Sequence, residues 1–204
     1  MKIKGTKLAQ IMYRKDLQDA SGRDLIVGPV AGYMGVTDTY CFYLLEGDEY
    51  EEFREKWNSY KNTYDIPESV DSLYSINSDY LKEEKSEHVN KTIERQITES
   101  EDPVEFTGKT FSTKVPTNFR ELFHKEALVL KGSDYYLLAS RVFFKNILEM
   151  TYSSRIDEIS MFGNGKLSPI VFHFDGDPRI VMMPFRNDSG DEIDFSIDKI
   201  IENA

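Results

Sequence analysis

The sequence predicts an α+β fold in which helices pack on antiparallel sheets. One observation is the segment 156–186, where three β-like runs are separated by Gly-Asn-Gly at 163–165 and Asp-Gly at 175–176. These residue types tolerate positive φ and favour hairpin turns, so the segment is predicted to be a three-stranded meander. The other is a pair of amphipathic helical patterns, at Lys7–Asp16 and Ser140–Met150. Because strand-like runs follow each helix, the order of helix then strands occurs twice, as a weak repeat without a solenoid period.

Length and composition exclude several classes of protein. The chain has 204 residues, 40% of them hydrophobic and 13% aromatic, which is enough apolar surface for a sizeable core and argues against disorder. No apolar run approaches the ~20 residues that span a bilayer, and residues 1–5 lack the apolar stretch of a secretory signal. We therefore expect a cytoplasmic protein with no membrane partner. Cys41 lies in an apolar run and is expected to be buried.

The first half of the chain is predicted to start with a short strand at residues 2–4. Thr6 is a plausible N-cap for the first helix, whose apolar face comprises Leu8, Ile11 and Met12. Strands are expected at 25–30 and 33–45, with a turn near 31–32. The polar interruption between Gly35 and Phe42 is typical of a bulge or turn.

From Glu46 the composition becomes acidic and rich in tyrosine. Asp48 followed by Glu51 resembles a capping box and predicts another helix start. Aromatic residues then recur every three or four positions on one helix face: Tyr50, Phe53, Trp57, Tyr60 and Tyr64. This stripe is interpreted either as packing against the rest of the domain or as a partner-binding face, since Trp and Tyr are favoured interface anchors.

The polar stretch 69–101 is predicted to be a surface insertion or flexible linker, with a solvated helix at 80–95 as the alternative. After it, one or two strands are expected within 104–115 and a short helix from Pro116. Two further strands, at 127–130 and 135–139, are expected to flank a tight turn. The helix Ser140–Met150 has the apolar face Phe143, Phe144, Ile147 and Leu148.

The sequence contains no pattern of residues that indicates catalysis. His88, His124 and His173 lie in unrelated contexts, and none has metal-ligand spacing to another His or to the cysteine. Asp175 and Asp177, near His173, are first of all a turn signal. Residues 163–166 lack the spacing of a phosphate-binding loop. We therefore expect a protein that is not an enzyme and that uses no cofactor or metal.

Three stretches resemble the DNA sliding clamps, above all the bacterial replicative clamp. The run Gly35–Tyr40 resembles the Ala-Thr-Asp-Gly segment that follows a clamp strand, and residues 143–148 resemble the second channel helix. The most specific likeness is between the runs 167–171 and Met182–Arg186 and the clamp's closing strands with their Met-Pro-Met-Arg end. The resemblance covers about residues 1–45 and 127–186. Thr39 replaces the clamp glycine, Phe185 replaces the second methionine, and residues 46–115 match nothing in the family.

The resemblance implies one clamp-like domain over 1–186, with two helices on antiparallel sheets, an insertion at 46–115 and an acidic tail at 187–204. In clamps the helices line a channel around duplex DNA and contact its backbone without sequence preference. The residues to which the resemblance assigns this role are Lys7, Arg14, Lys15, Arg141 and Lys145. They would form a basic track in a protein of net charge −11.

Clamps bind partner peptides in an apolar pocket near the Thr-Asp segment and the closing strand. The positions carried over are Thr37, Thr39, Tyr40, Phe42, Met182, Met183, Pro184 and Phe185. Methionine suits such a pocket because it is unbranched and polarizable, although the two methionines are equally well interpreted as core and edge-strand residues.

Two functions follow from the resemblance. The first is a clamp-like processivity or replication factor, encoded by a phage or mobile element, that forms a homo-oligomer and binds DNA polymerase or other replication proteins. The second is a protein-interaction module that inhibits a host replication or defence protein without encircling DNA. The paired basic helices and the likeness near the carboxyl end make the first the leading hypothesis, whereas the acidic insertion, its aromatic stripe and the room for only one such domain motivate the second.

Overall fold

Helices and strands alternate along the chain in the computed structural model, which describes residues 1–18, 25–37, 40–60, 64–76, 81–84, 86–112, 126–151, 159–165 and 168–184. The helices are α1 (Gly5–Gln18), α2 (Gly47–Asn58), α3 (Ser86–Glu99) and α4 (Arg141–Thr151). The strands are β1 (Leu25–Val30), β2 (Tyr33–Thr37), β3 (Cys41–Leu45), β4 (Leu73–Ile76), β5 (Leu81–Glu84), β6 (Asp102–Pro103), β7 (Glu105–Ser112), β8 (Glu126–Lys131), β9 (Tyr136–Ser140), β10 (Ser160–Gly163), β11 (Ile170–Phe174) and β12 (Asp177–Met182).

The strands form two antiparallel sheets. The larger has the order β5-β4-β1-β2-β3-β12-β11-β10-β6, and the smaller has the order β7-β8-β9. The predicted α+β class is therefore confirmed. Strands follow each of the four described helices, and the two predicted helix-then-strands units correspond to α1 with β1–β3 and to α4 with β10–β12. The two units meet where β3 pairs with β12, with Val181 opposite Phe42.

The large sheet is covered on both faces. Side chains of β3 alternate between the faces, as pleating requires: Cys41, Tyr43 and Leu45 pack in the main core with α1, α2 and α4. Phe42 and Leu44 belong to a second apolar cluster, which includes Ile93 of α3. Leu128, Leu130 and Leu137 of the smaller sheet join the main core. Cys41 is buried, as expected.

Local turn chemistry was predicted correctly at two hairpins. Ala31 and Gly32 both have positive φ, 51° and 82°, between β1 and β2, and Asp175 and Gly176 have 54° and 94° between β11 and β12. Positive φ at both central residues is the geometry that matches the twist of a two-residue hairpin. The meander predicted from residue 156 is confirmed from Ser160 onward, and residues 152–158 lie outside the described part.

Two predictions for the amino-terminal region were wrong. Residues 2–4 form no strand, because their amides bond to other elements: Ile3 N–H donates to Glu49 Oε1 at 2.8 Å and Lys4 N–H donates to the Met150 carbonyl at 2.9 Å. Thr6 is not the N-cap, since α1 already begins at Gly5. A Cβ at Gly5 would overlap the Glu49 carbonyl oxygen of α2, so glycine permits the two helices to approach closely at this point.

The second helix starts one residue before the predicted Asp48. Its N-cap is Glu46, and Glu49 at the third helical position accepts the Glu46 N–H at 2.9 Å. Most of the aromatic stripe packs in the core, since Tyr50, Phe53 and Trp57 are buried. The two remaining aromatics of the stripe follow the helix end: Tyr60 stacks on Tyr13, and Tyr64 accepts the indole N–H of Trp57 through its carbonyl oxygen.

Segment 69–101 contributes ordered elements to the large sheet and to its second face. β4 pairs with β1, and β5 pairs with β4. α3 is the helix expected there, displaced towards the carboxyl end, and Ile93 on it is 8% exposed. The helix is therefore only partly solvated. The short helix predicted from Pro116 lies outside the described residues. No helix within the described ranges is long and apolar enough to cross a membrane.

Candidate partner-binding pocket and basic helix face

A pocket of about 380 Å³ lies between α3 and one end of the central strands of the large sheet. Its floor comes from the seam of the two helix-then-strands units, where Val181 of β12 pairs with Phe42 of β3 and Phe42 pairs with Thr37 of β2. Met183 N–H donates to the Tyr40 carbonyl at 2.9 Å, which extends the seam by one further pair. Backbone pairing thus holds these side chains side by side. We call this cavity the seam pocket; its lining is Thr37, Tyr40, Phe42, Thr92, Ile93, Arg95, Gln96, Ser168, Pro169, Val181 and Met183.

Four of the positions predicted to bind partners line the seam pocket: Thr37, Tyr40, Phe42 and Met183. Met182 does not, since strand alternation turns it to the opposite face, where it is fully buried in the main core. Pro184 is buried but is not part of the lining. Thr39 and Phe185 lie outside the described residues. Met183 is 36% exposed, and few other large apolar side chains among the described residues are as exposed.

Sequence reasoning missed the α3 wall of the seam pocket, formed by Thr92, Ile93, Arg95 and Gln96. The signal was present. Val89, Ile93 and Ile97 recur every four residues and pack on the second apolar cluster, which is the spacing of an amphipathic helix. The surrounding charged residues concealed this pattern.

Arg95 gives the seam pocket a positive rim. Its Nε lies 3.9 Å from Glu99 Oε2, and the arginine side chain is 63% exposed. An exposed pair at this distance is weak. The guanidinium therefore remains available to a carboxylate that approaches the pocket, with which it can form paired hydrogen bonds.

The predicted basic track lies on a different part of the molecule, along α1 and α4. Lys7 Nζ of α1 lies 3.3 Å from Glu149 Oε2 of α4, and Lys145 Nζ lies 3.9 Å from Glu149 Oε1. One carboxylate thus stands between the two lysines and reduces their combined charge. Arg14 is exposed two turns further along α1, and Arg141 is exposed one turn before Lys145 on α4. The side chain of Lys15 lies outside the described part.

A buried ion pair connects β12, one of the two strands at the pocket floor, to the start of α2. Arg179 of β12 and Glu49 of α2 are each 2% exposed, and the Nη2 of the arginine binds Oε2 of the glutamate. Arg179 Nε also donates to the Leu44 carbonyl at 3.0 Å. Since Glu49 accepts the Ile3 and Glu46 amides as well, its carboxylate connects three segments: the amino-terminal residues, the start of α2 and β12. This network holds β3 and β12 in the register that forms the pocket floor.

His173 is not part of a metal site among the described residues. Its Nδ1 lies 3.1 Å from the Gly176 carbonyl oxygen, and its ring packs against Phe162 at 4.6 Å between centroids. Within the part of the chain that the structure describes, no group of three or more His, Cys, Asp or Glu side chains is arranged to hold a metal ion.

Comparisons with known proteins gave no match: no family model fits the chain, and no curated protein or solved structure is significantly similar to it. The structural features that bear on function are therefore the seam pocket and the basic track of α1 and α4, which comprises Lys7, Arg14, Arg141 and Lys145.

Proposed function

We propose that this protein is a non-enzymatic, sliding-clamp-like replication factor that binds peptide segments of replication proteins in the seam pocket. The observation that carries the proposal is the convergence of Thr37, Tyr40, Phe42 and Met183 around one cavity. Thr37 ends β2, Tyr40 and Phe42 lie just before and within β3, and Met183 directly follows β12. All four positions were predicted from the resemblance alone. Two helix-then-strands units that meet at a central strand pair also agree with the clamp pattern.

The size and chemistry of the pocket suit a peptide anchor. A volume of about 380 Å³ falls near the lower end of ligand sites and accommodates a few side chains. Its apolar members, among them Phe42, Ile93 and Val181, would bury an aliphatic or aromatic residue. The side chain of Met183, which is 36% exposed, can adjust its rotamer to different anchors.

Affinity capture with the purified protein as bait tests the pocket. Met183→Asp places a charge at the pocket mouth and should abolish recovery of replication proteins, identified by mass spectrometry. Phe106→Asp is the matched control, because Phe106 is similarly exposed, at 38%, but lies on β7 of the smaller sheet. Recovery of the same proteins with wild type and Met183→Asp would contradict the proposal.

The second part of the proposed function is loose contact with duplex DNA through α1 and α4. Binding should weaken as salt rises, since log K falls with log salt by ~0.9 per phosphate contacted. Lys145→Glu should weaken binding to a mixed-sequence duplex, measured by fluorescence anisotropy across a salt series. Lys131→Glu, an exposed lysine on β8, should have little effect. Light scattering on the same samples measures the oligomer.

The alternative is an interaction module that uses the seam pocket without DNA. The position of Glu149 between Lys7 and Lys145 favours it, because the carboxylate competes with phosphate for both ammonium groups. This alternative would be established by two results together. The protein would be a monomer with no affinity for DNA at low salt, and as bait it would capture one unrelated host protein.

A further inference from the structure

We propose that residues 191–198 of this chain, Asp-Glu-Ile-Asp-Phe-Ser-Ile-Asp, bind the seam pocket and compete with partner peptides. The inference rests on the seam pocket of the proposed function and adds regulation by the protein itself. It comes from the position at which the described chain stops. Met183 lines the pocket, Pro184 follows it, and the sequence then continues through residues 185–204.

The chemistry of the segment complements the pocket. Ile193, Phe195 and Ile197 alternate with polar residues, so an extended backbone would direct all three to one side. The pocket offers Phe42, Val181 and other apolar side chains to such a row. A volume of about 380 Å³ accommodates one or two of these residues at a time.

The negative charge of the segment also favours its binding to the seam pocket. Residues 185–204 contain six acidic residues (Asp188, Asp191, Glu192, Asp194, Asp198 and Glu202) and two basic ones (Arg186 and Lys199), a net charge of −4. Asp194 lies within the apolar row and Asp198 directly follows it, and Arg95 at the pocket rim forms a long, exposed pair with Glu99. An acidic segment with apolar anchors would place a carboxylate near this guanidinium.

The covalent connection makes weak binding sufficient. Nine residues lie between Met183 and Ile193, and the ten backbone steps between the two can span ~33 Å, so the chain can return to a pocket that begins at Met183. A connection of this length gives an effective concentration of about 1 mM. A segment with an intrinsic Kd of ~0.1 mM would then occupy the pocket most of the time and weaken an outside ligand by ~10-fold.

The test is binding of a fluorescein-labelled synthetic peptide of residues 191–198 to the full chain, followed by anisotropy. Phe195→Ala with Ile197→Ala should bind the labelled peptide ~10-fold more tightly than wild type, because the internal competitor has lost its anchors. Ile200→Ala with Ile201→Ala, which leaves residues 191–198 intact, is the matched control and should bind as wild type does. Circular dichroism of each variant checks that it is folded.

Two further variants locate the binding site. Adding Met183→Asp to the anchor-free variant should abolish peptide binding. Adding Arg95→Glu instead should weaken it, and a labelled peptide with lysine in place of Asp194 and Asp198 should recover it. Equal affinity of wild type and the anchor-free variant would overturn the inference, as would binding that persists with Met183→Asp. If no variant binds the peptide, residues 191–198 are not a ligand, and capture of replication proteins still decides the proposed function separately.

Discussion

Arg179 and Glu49 are buried together, although 130 positions separate them in the sequence. Nothing local predicts this pair. The sequence places Glu49 in a run of acidic residues that would normally face solvent, and Arg179 next to a turn. A pair of this kind is identified only once the fold has brought β12 against α2, so sequence analysis could not have predicted it.

Replacing Arg179 by methionine should lower the free energy of unfolding by ~3–5 kcal/mol, because the buried Glu49 carboxylate would lose its counter-charge. Urea denaturation measures the loss. Glu49→Gln combined with Arg179→Met should cost less than the sum of the single changes. Lys2→Met is the control, since Lys2 and Asp48 form an exposed pair, and it should change stability little. Additive single effects would contradict a coupled pair.

Tyr50 should make stability depend on pH in the alkaline range. Burial raises the pKa of its phenol from 10.0 to about 12. Because the folded-state pKa is higher, the contribution of the neutral phenol to stability is complete below about pH 10 and is lost as the pH rises towards 12. Burial, with the nearby Asp102 carboxylate as the next cause, also raises the pKa of Tyr135 to about 12, so the two tyrosines act in the same window.

Tyr50→Phe should reduce the alkaline slope of the unfolding free energy by up to about 1.4 kcal/mol per pH unit. At neutral pH it should not destabilise the protein, since the Tyr50 hydroxyl is buried without a hydrogen-bond partner among the described residues. Urea titrations at neutral pH and through the alkaline window measure both effects. An unchanged alkaline slope would show that Tyr50 does not carry the dependence.

At the scale of elements, the helices, strands and turns that were predicted correctly are those specified by residues close together in the sequence. The Asp-Gly turn at 175–176, helix α4 and the meander β10–β12 were predicted because turn residues and apolar periodicity specify them within a few positions. The capping box of α2 was misplaced, because Glu49 is also required by Ile3 and Arg179. α3 was interpreted as solvated for a related reason. Its apolar stripe packs on the second face of the large sheet, and the sequence alone does not show that this face is there to cover.

The approach of α1 to α2 should depend on Gly5. Gly5→Ala should destabilise the protein by ~1–3 kcal/mol or more, because the added methyl would collide with the backbone of α2 at Glu49 and Phe53. Gly47→Ala is the matched control: its Cβ would meet nothing within 4 Å, and alanine at the first residue of α2 should be neutral or stabilising by up to ~1 kcal/mol. Thermal denaturation of both variants compares them directly.

At the scale of the whole molecule, one apolar core connects both sheets. Leu128 and Leu137 of the smaller sheet and Ile170 of the larger belong to the same cluster. The β8–β9 turn is also tied to β6, where Asp102 Oδ2 accepts the Ser133 N–H at 3.0 Å, and this bond lowers the pKa of the Asp102 carboxyl. The sequence predicted a single domain but could not show that residues 73–76 and 86–99 would complete its sheet and second face.

A shared core should make unfolding cooperative. Trp57, the one tryptophan of the chain, is 1% exposed and reports on α2. Its fluorescence and the far-ultraviolet circular dichroism, which follows all elements, should give coincident urea transitions. A circular-dichroism transition that precedes or follows the fluorescence change would show that the two sheets unfold separately.

The ends of the nine-stranded sheet have a consequence for assembly. As described, its outer strands are β5, with four residues, and β6, with two. Such short edges offer few backbone groups to a neighbouring chain, which hinders growth of the sheet from one subunit into the next. β7, with eight residues at the edge of the smaller sheet, offers a longer row of backbone donors and acceptors. Of the sheet edges described, β7 therefore provides the longest row of backbone groups for pairing with another chain.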